Sequence, residues 1–218
     1  MGNSELIKEY IDTFFVPSGS RVGDKFSALN LLIRQKEKCL DESCGVAVWP
    51  GIMTIFSGID MLGFYYDDGC LLKSTKRFKA FYDRFFKHSK IYNESELIYQ
   101  ARNAMVHTFG LYAKDHNGTE YKFMYDWQEE SDYVIHQNID LSIYIINFYG
   151  LNKAFDKAIK NYKSFLIEEL EINPEGVYIR NFQNAYELFG LISGPDRFSD
   201  DPHSSISSNA SQIALGSD

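Results

Sequence analysis

Arg102, Asn103 and His107 fall within six consecutive residues, Arg102-Asn103-Ala104-Met105-Val106-His107. Together they hold a forked cation, an amide and a group able to take or give a proton near neutral pH. An arginine fork suits a phosphate or carboxylate, and an imidazole suits general acid–base work, so the trio points to chemistry on an anion. Each alone has a plainer reading. His107 would be a solvated or interface histidine and Arg102 a surface ion-pair partner; only their conjunction on one element carries the expectation.

That element reads as a short helix over residues 93–109. At about 100° per residue, Leu97, Ile98, Ala101, Met105 and Phe109 fall on one side and Glu96, Gln100, Asn103 and His107 on the other, with Arg102 at the border. Asn103 lies one turn before His107, so it is placed to orient the imidazole or a bound phosphate. Asn93 is the expected cap, with Glu96 completing a capping box. Tyr99 and Val106 also lie on the outward side, and this mixture reads as an interface or a site rather than plain wet surface.

The remaining composition narrows the function classes. At 218 residues the chain can bury a substantial core without disulfides, and 16% aromatics predict heavy ring packing. Cys39, Cys44 and Cys70 fit no zinc or Cys-x-x-Cys spacing, so a reducing cytoplasm is the expected setting. Residues 1–15 carry Glu5, Lys8, Glu9 and Asp12, which reads as no signal peptide, and no apolar run reaches about 18 residues. His88, His107, His116, His136 and His203 show no close ligand pairs, and no phosphate loop, dinucleotide fingerprint or nucleophile motif appears, so no metal or cofactor is expected. A net charge of -8 argues against indiscriminate nucleic-acid binding, and no DNA partner is expected. Cations are nevertheless gathered locally: Lys73, Lys76, Arg77, Lys79, Arg84, Lys87 and Lys90 face only Asp83. Five of them, Lys76, Arg77, Lys79, Arg84 and Lys87, are candidate RNA contacts; the plainer reading is the wet side of an amphipathic helix.

The elements that must position these residues follow in chain order. Leu6, Ile7, Tyr10, Ile11, Phe14 and Phe15 predict a first helix, broken at Pro17-Ser18-Gly19. Asp24 is the expected cap of a second, in which Phe26, Leu29, Leu32 and Ile33 face inward and residues 34–38 form a charged outer rim, with a turn near residues 42–45. Pro50 starts a third, nearly all-apolar helix over residues 52–66, where Gly51, Gly58 and Gly63 would admit a neighbouring backbone. Asp60 sits within it; a carboxylate there needs a partner, either Arg102 or a helix-end N–H group. After a turn at Asp67-Asp68-Gly69, Ser74 or Thr75 caps a fourth helix that buries Phe78, Phe81, Tyr82 and Phe85.

Beyond the Arg102 helix the period changes. Residues 111–115, a His116-Asn117-Gly118 turn and the alternation of Tyr121, Phe123 and Tyr125 predict a β-hairpin, with residues 133–136 as a third strand. Leu141, Tyr144, Phe148, Leu151, Phe155, Ala158, Tyr162 and Phe165 then follow a heptad, which predicts one long helix for bundle packing or dimerisation. Asn173-Pro174-Glu175-Gly176 ends it. A last helix is expected over residues 177–191, and the Ser-rich residues 194–218 are expected to be disordered.

Arg102-Asn103-Ala104-Met105-Val106-His107 resembles the signature of the HEPN superfamily, an arginine, often followed by a polar residue, with a histidine four to six positions later. The resemblance covers the helical bundle, with the strands of about 110–137 as a departure from the minimal fold. It implies a mainly α, HEPN-like up-and-down helical bundle over residues 1–193, to which the alternating residues after the motif helix add a small antiparallel β-hairpin or meander insertion. It further implies a homodimer, an RNA substrate and metal-independent cleavage of toxin or host-defence type, with a possible antitoxin or defence-system partner. On that reading Arg102 and His107 are catalytic, Asn103 helps them, and Asp60 and Tyr99 support them. Two other readings stay open: an inactive dimerisation or partner-binding module, and a bundle that binds a nucleotide without cleaving it.

Overall fold

Apolar residues at helical spacing give the first element of the computed structural model, which describes residues 2–41, 47–67, 73–86, 91, 93–108, 111–127 and 133–193. Helix α1 (Asn3–Phe14) buries Ile7, Ile11 and Phe14. The next turn differs from expectation. Asp24 does not cap; residues Lys25–Ser27 form strand β1, and Ser27 caps α2 (Ala28–Leu40), its Oγ accepting from the Asn30 amide at 3.4 Å. The same hydroxyl donates to the Phe14 carbonyl at 2.6 Å, which locks the end of α1 to the start of α2. Within α2, Lys36 is not part of a wet rim: it is 2% exposed and pairs with Asp156.

Helix α3 (Val48–Asp67) is central, touching α2, α4 (Ser74–Phe85), α5 (Glu94–Thr108), α6 (Phe148–Ile172) and α7 (Val177–Phe189). Its glycines serve two purposes. A Cβ at Gly51 would lie 2.7 Å from Phe148 Cζ, and one at Gly58 2.3 Å from Phe155 Cζ, so these two positions receive aromatic rings of α6 rather than a backbone. Of the three, only Gly63 meets a backbone, the Arg77 carbonyl of α4 at 3.0 Å.

Aromatic packing accounts for the composition. Phe14, Tyr65, Phe182 and Tyr186 form one ring cluster, and Tyr66, Phe81, Phe85, Tyr162 and Phe165 form another. Helix α4 buries Phe78, Phe81, Tyr82 and Phe85.

The appended strands are more elaborate than a hairpin or antiparallel meander. Strands β2 (Tyr112–Lys114), β3 (Glu120–Asp126), β4 (Ile135–Asn138) and β5 (Ile143–Asn147) form a sheet in the order β2-β3-β5-β4. β3 and β5 pair in parallel, the other pairs antiparallel. The sheet therefore runs to Asn147, ten residues past the expected boundary at 137, and the heptad reading starts too early: Leu141 is exposed and Tyr144 belongs to β5. β-branched Ile143, Ile145 and Ile146 favour the strand. Asn147 then caps α6, its Oδ1 accepting from the Gly150 amide at 2.6 Å. From Phe148 on the heptad is real, and Phe148, Leu151, Phe155, Ala158 and Tyr162 are fully buried inside one chain.

Helix α7 is followed by β6 (Leu191–Ser193), which pairs antiparallel with β1 and ties the end of α7 to the start of α2. Neither three-residue strand is long enough to show a period. The architecture is mainly α, with seven helices and two small sheets among the described residues. No described helix is long and apolar enough to cross a membrane. The expected turns at residues 42–45 and 68–69, Cys44, Cys70, Lys87, His88, Phe109, His203 and the tail from 194 lie outside the described residues.

Candidate active site

Helix α5 presents the motif because its opposite face is apolar: Leu97, Ile98, Ala101, Ala104 and Met105 are buried. Asn93 precedes it with φ 59°, and the Asn93 carbonyl accepts from the Leu97 amide at 3.1 Å. Glu96 does not serve the expected capping box. Its side chain accepts from Lys79 Nζ at 2.7 Å and from Gln100 Nε2 at 2.8 Å. That second contact turns Gln100 inward, so it is only 5% exposed instead of lying on the outer face. Burial raises the Glu96 carboxyl, but the hydrogen bonds from Lys79 and Gln100 outweigh it and leave the group below its usual range.

Arg102 is fixed from two sides. Its Nε and Nη2 donate to Asp60 Oδ2 at 3.0 and 2.9 Å, and its Nη1 donates to Asn103 Oδ1 at 3.3 Å. The pairing of Asp60 with Arg102 is thus present, and Asn103 also steadies the arginine. Burial raises the Asp60 carboxyl above its ordinary range; the nearby charges of Arg102 and Arg77 only partly offset this. His107, at the C-terminal end of α5, is exposed.

Arg102, Asn103, His107 and Tyr99 line one cleft of about 520 Å³, closed on its other side by Tyr112, Ala113 and Lys114 of β2. That volume is in the range of small-molecule sites. Tyr99 is held by a 2.7 Å hydrogen bond between its hydroxyl and Thr75 Oγ1, and by edge contact with Phe78. Among the described residues no carboxylate lines the cleft. Tyr112 and Lys114 were not legible as site residues in the sequence; the only signal is that a hairpin follows directly on the motif helix.

The cations of α4 lie elsewhere. Lys79 pairs with Glu96, the Arg77 guanidinium lies 5.3 Å over the Phe64 ring, and that of Arg84 lies 5.3 Å over Phe165. Lys76 is exposed. None of the four lines the cleft. α4 thus directs three of these four cations, Lys79, Arg77 and Arg84, toward α5, α3 and α6.

A second cleft of about 530 Å³ is lined by Ala47, Val48, Trp49, Pro50, Trp127 and Tyr149. Both tryptophans are well exposed, at 45% and 64%. Among the described residues no group of three His, Cys, Asp or Glu side chains comes together in a way that could hold a metal ion. Compared with protein-family models, curated proteins and solved structures, the chain matches none.

Proposed function

We propose that this chain is a metal-independent endoribonuclease of toxin or host-defence type, built on a HEPN-like domain over residues 1–193. The observation that carries the reading is the shared cleft: a pre-oriented arginine, an amide and an exposed histidine within reach of one bound group, with no carboxylate among the described lining residues to repel a phosphate. In the reaction, His107 as base takes the proton of a ribose 2′-hydroxyl, whose oxygen attacks the adjacent phosphorus. The O2′–P bond forms and the P–O5′ bond breaks, leaving a cyclic phosphate and a 5′-hydroxyl once an acid has protonated the departing oxygen. Arg102 neutralises charge growing on the phosphoryl oxygens, and Asp60 holds the guanidinium in place for it. One histidine is few for both proton transfers, and a homodimer with its two α5 helices facing each other supplies a second. Val106, 48% exposed beside His107, gives that arrangement an apolar contact.

Cleavage of labelled RNA in EDTA, with His107→Ala as the control, tests the reading. Cleavage that drops about 10²- to 10⁴-fold in the variant at unchanged circular dichroism is the expected result. Equal rates from both proteins would overturn the assignment. The second reading, a partner-binding module, is favoured by a different observation, the exposed pair Trp49 and Trp127 around an aromatic cleft. It gains if no RNA is cut.

A further inference from the structure

Strands β2 and β3 alternate in burial. Ala113, Phe123 and Tyr125 are buried, and the period of two leaves Tyr112 and Lys114 on the opposite face; these two line the cleft together with Ala113. The register brings β3 into the same surface. Lys122 stands directly across from Tyr112, and Glu120 across from Lys114, and directly opposed residues share a face. One sheet face beside His107 thus carries two lysines and a glutamate around a tyrosine.

Glu96, which lies near the hairpin, is taken up by Lys79 and Gln100, and three further carboxylates lie on the strands or at their tip. Asp115 is occupied at the hairpin tip, accepting from the Asn117 and Thr119 amides at 2.9 and 2.8 Å. Asp126, at the far end of β3, accepts from Asn147 Nδ2 at 3.0 Å and from the Tyr133 hydroxyl at 3.1 Å. That leaves Glu120, which is hydrogen-bonded by the Tyr112 side chain and whose contact with Lys114 Nζ is long at 3.7 Å, between side chains more than half exposed. Such a pair is weak and is easily exchanged for a phosphate.

We infer that this face, through Lys114, Lys122 and Tyr112, is the surface that grips single-stranded RNA and leads it into the cleft. The inference rests on the RNA-cleaving reading. Cations tracking a backbone with an aromatic ring to stack a base is the chemistry by which single strands are held. It also bears on where such a grip can be: Lys79, Arg77 and Arg84 of α4 are turned onto Glu96, Phe64 and Phe165, and Lys76 is exposed away from the cleft, whereas Lys114 lines the site. Tyr99 and His107, which both line the cleft, are eight residues apart on α5, about 12 Å of helix.

The test measures binding of a labelled single-stranded RNA of about a dozen nucleotides to the otherwise intact His107→Ala protein over a salt series. Adding Lys114→Ala and Lys122→Ala should weaken binding several-fold and lower the salt slope by about 0.7 for each phosphate that is no longer neutralised. Lys114→Arg with Lys122→Arg should restore the slope, and Glu120→Gln should tighten binding. An unchanged slope in the alanine variant, with the weakening appearing instead in Lys76→Ala plus Arg84→Ala, overturns the inference and leaves the nuclease reading standing. A folded His107→Ala protein that binds no RNA at any salt overturns both.

Discussion

Asp60 and Arg102, 42 residues apart, meet through a single carboxylate oxygen: Oδ2 of Asp60 accepts from both Nε and Nη2 of Arg102. The contact joins the central helix to the motif helix. The Arg102 side chain is 31% exposed and that of Asp60 27%, so the pair is neither a surface bridge nor a sealed one. We expect a double-mutant cycle of Asp60→Ala and Arg102→Ala to give a coupling of about 1 kcal/mol in urea unfolding. Additive effects would show the contact to be energetically idle. Because Asp60 positions the guanidinium, Asp60→Asn should also slow RNA cleavage through kcat with less effect on KM.

Glu96 contributes to acid stability. Its carboxyl is lowered in the fold, so it binds fewer protons there than in the unfolded chain. Its contribution is complete above the ordinary value of 4.5 and is lost as pH falls through the lowered folded value. Glu96→Gln should flatten the acid limb of the stability curve below about pH 4.5, and urea midpoints measured between pH 3 and pH 6 would register this. A variant whose acid limb matches the wild type would refute the role given to the Lys79 contact.

Gly58→Ala weighs helix propensity against packing. Alanine would gain up to about 1 kcal/mol in an open helix, but its Cβ would meet Phe155 Cζ at 2.3 Å and Leu32 Cδ2 at 3.0 Å. The Phe155 ring is fully buried and has little room to withdraw. A net loss of about 1–3 kcal/mol is expected from thermal or urea unfolding. A gain in stability would mean that the ring moves freely.

Val106→Glu separates a homodimer from a monomer. The residue is half-exposed next to His107, so the substitution should leave the fold intact. In sedimentation at micromolar concentration the wild type is expected as a dimer and the variant as a monomer with lower cleavage. A wild-type monomer that cuts RNA would refute the two-fold arrangement. The heptad of α6 lends the dimer no support, because its apolar positions are covered within the chain.

Long periodic segments were the legible part of this chain. The apolar spacing in α1, α4 and α7 and the alternation in β3 each follow from burying one face, and a one-dimensional pattern records that directly. The partner of Asp60 was legible for a related reason: a carboxylate on so apolar a helix needs a cation, and Arg102 stands at the edge of its own apolar face. What escaped lacks local periodicity. The β1–β6 pair is three residues on each side, and its register depends on a distant segment. Tyr144 fits a heptad as well as a strand, because a residue at the right spacing looks the same in either; Asn147, the actual boundary, gives a stop signal only through its contact with Gly150. Lys114 became a site residue through sheet pairing alone. A hairpin's sequence does not say which of its faces leans on the preceding helix.

The ring-filled hollows on α3 bear on how the chain acquires its structure. Gly51 and Gly58 appear early in synthesis, whereas Phe148 and Phe155, which occupy the space beside them, follow roughly a hundred residues later. Until α6 leaves the ribosome, the two notches of the most apolar helix lack their rings and are bordered only by Leu32 and Cys39 of α2. Closing so long a loop costs entropy before any contact repays it, which slows the final step and prolongs exposure of α3 to other nascent chains. Production in cells should therefore be limited by aggregation of incomplete chains more than by the equilibrium stability of the finished one, and lower temperature or slower synthesis should raise the soluble yield.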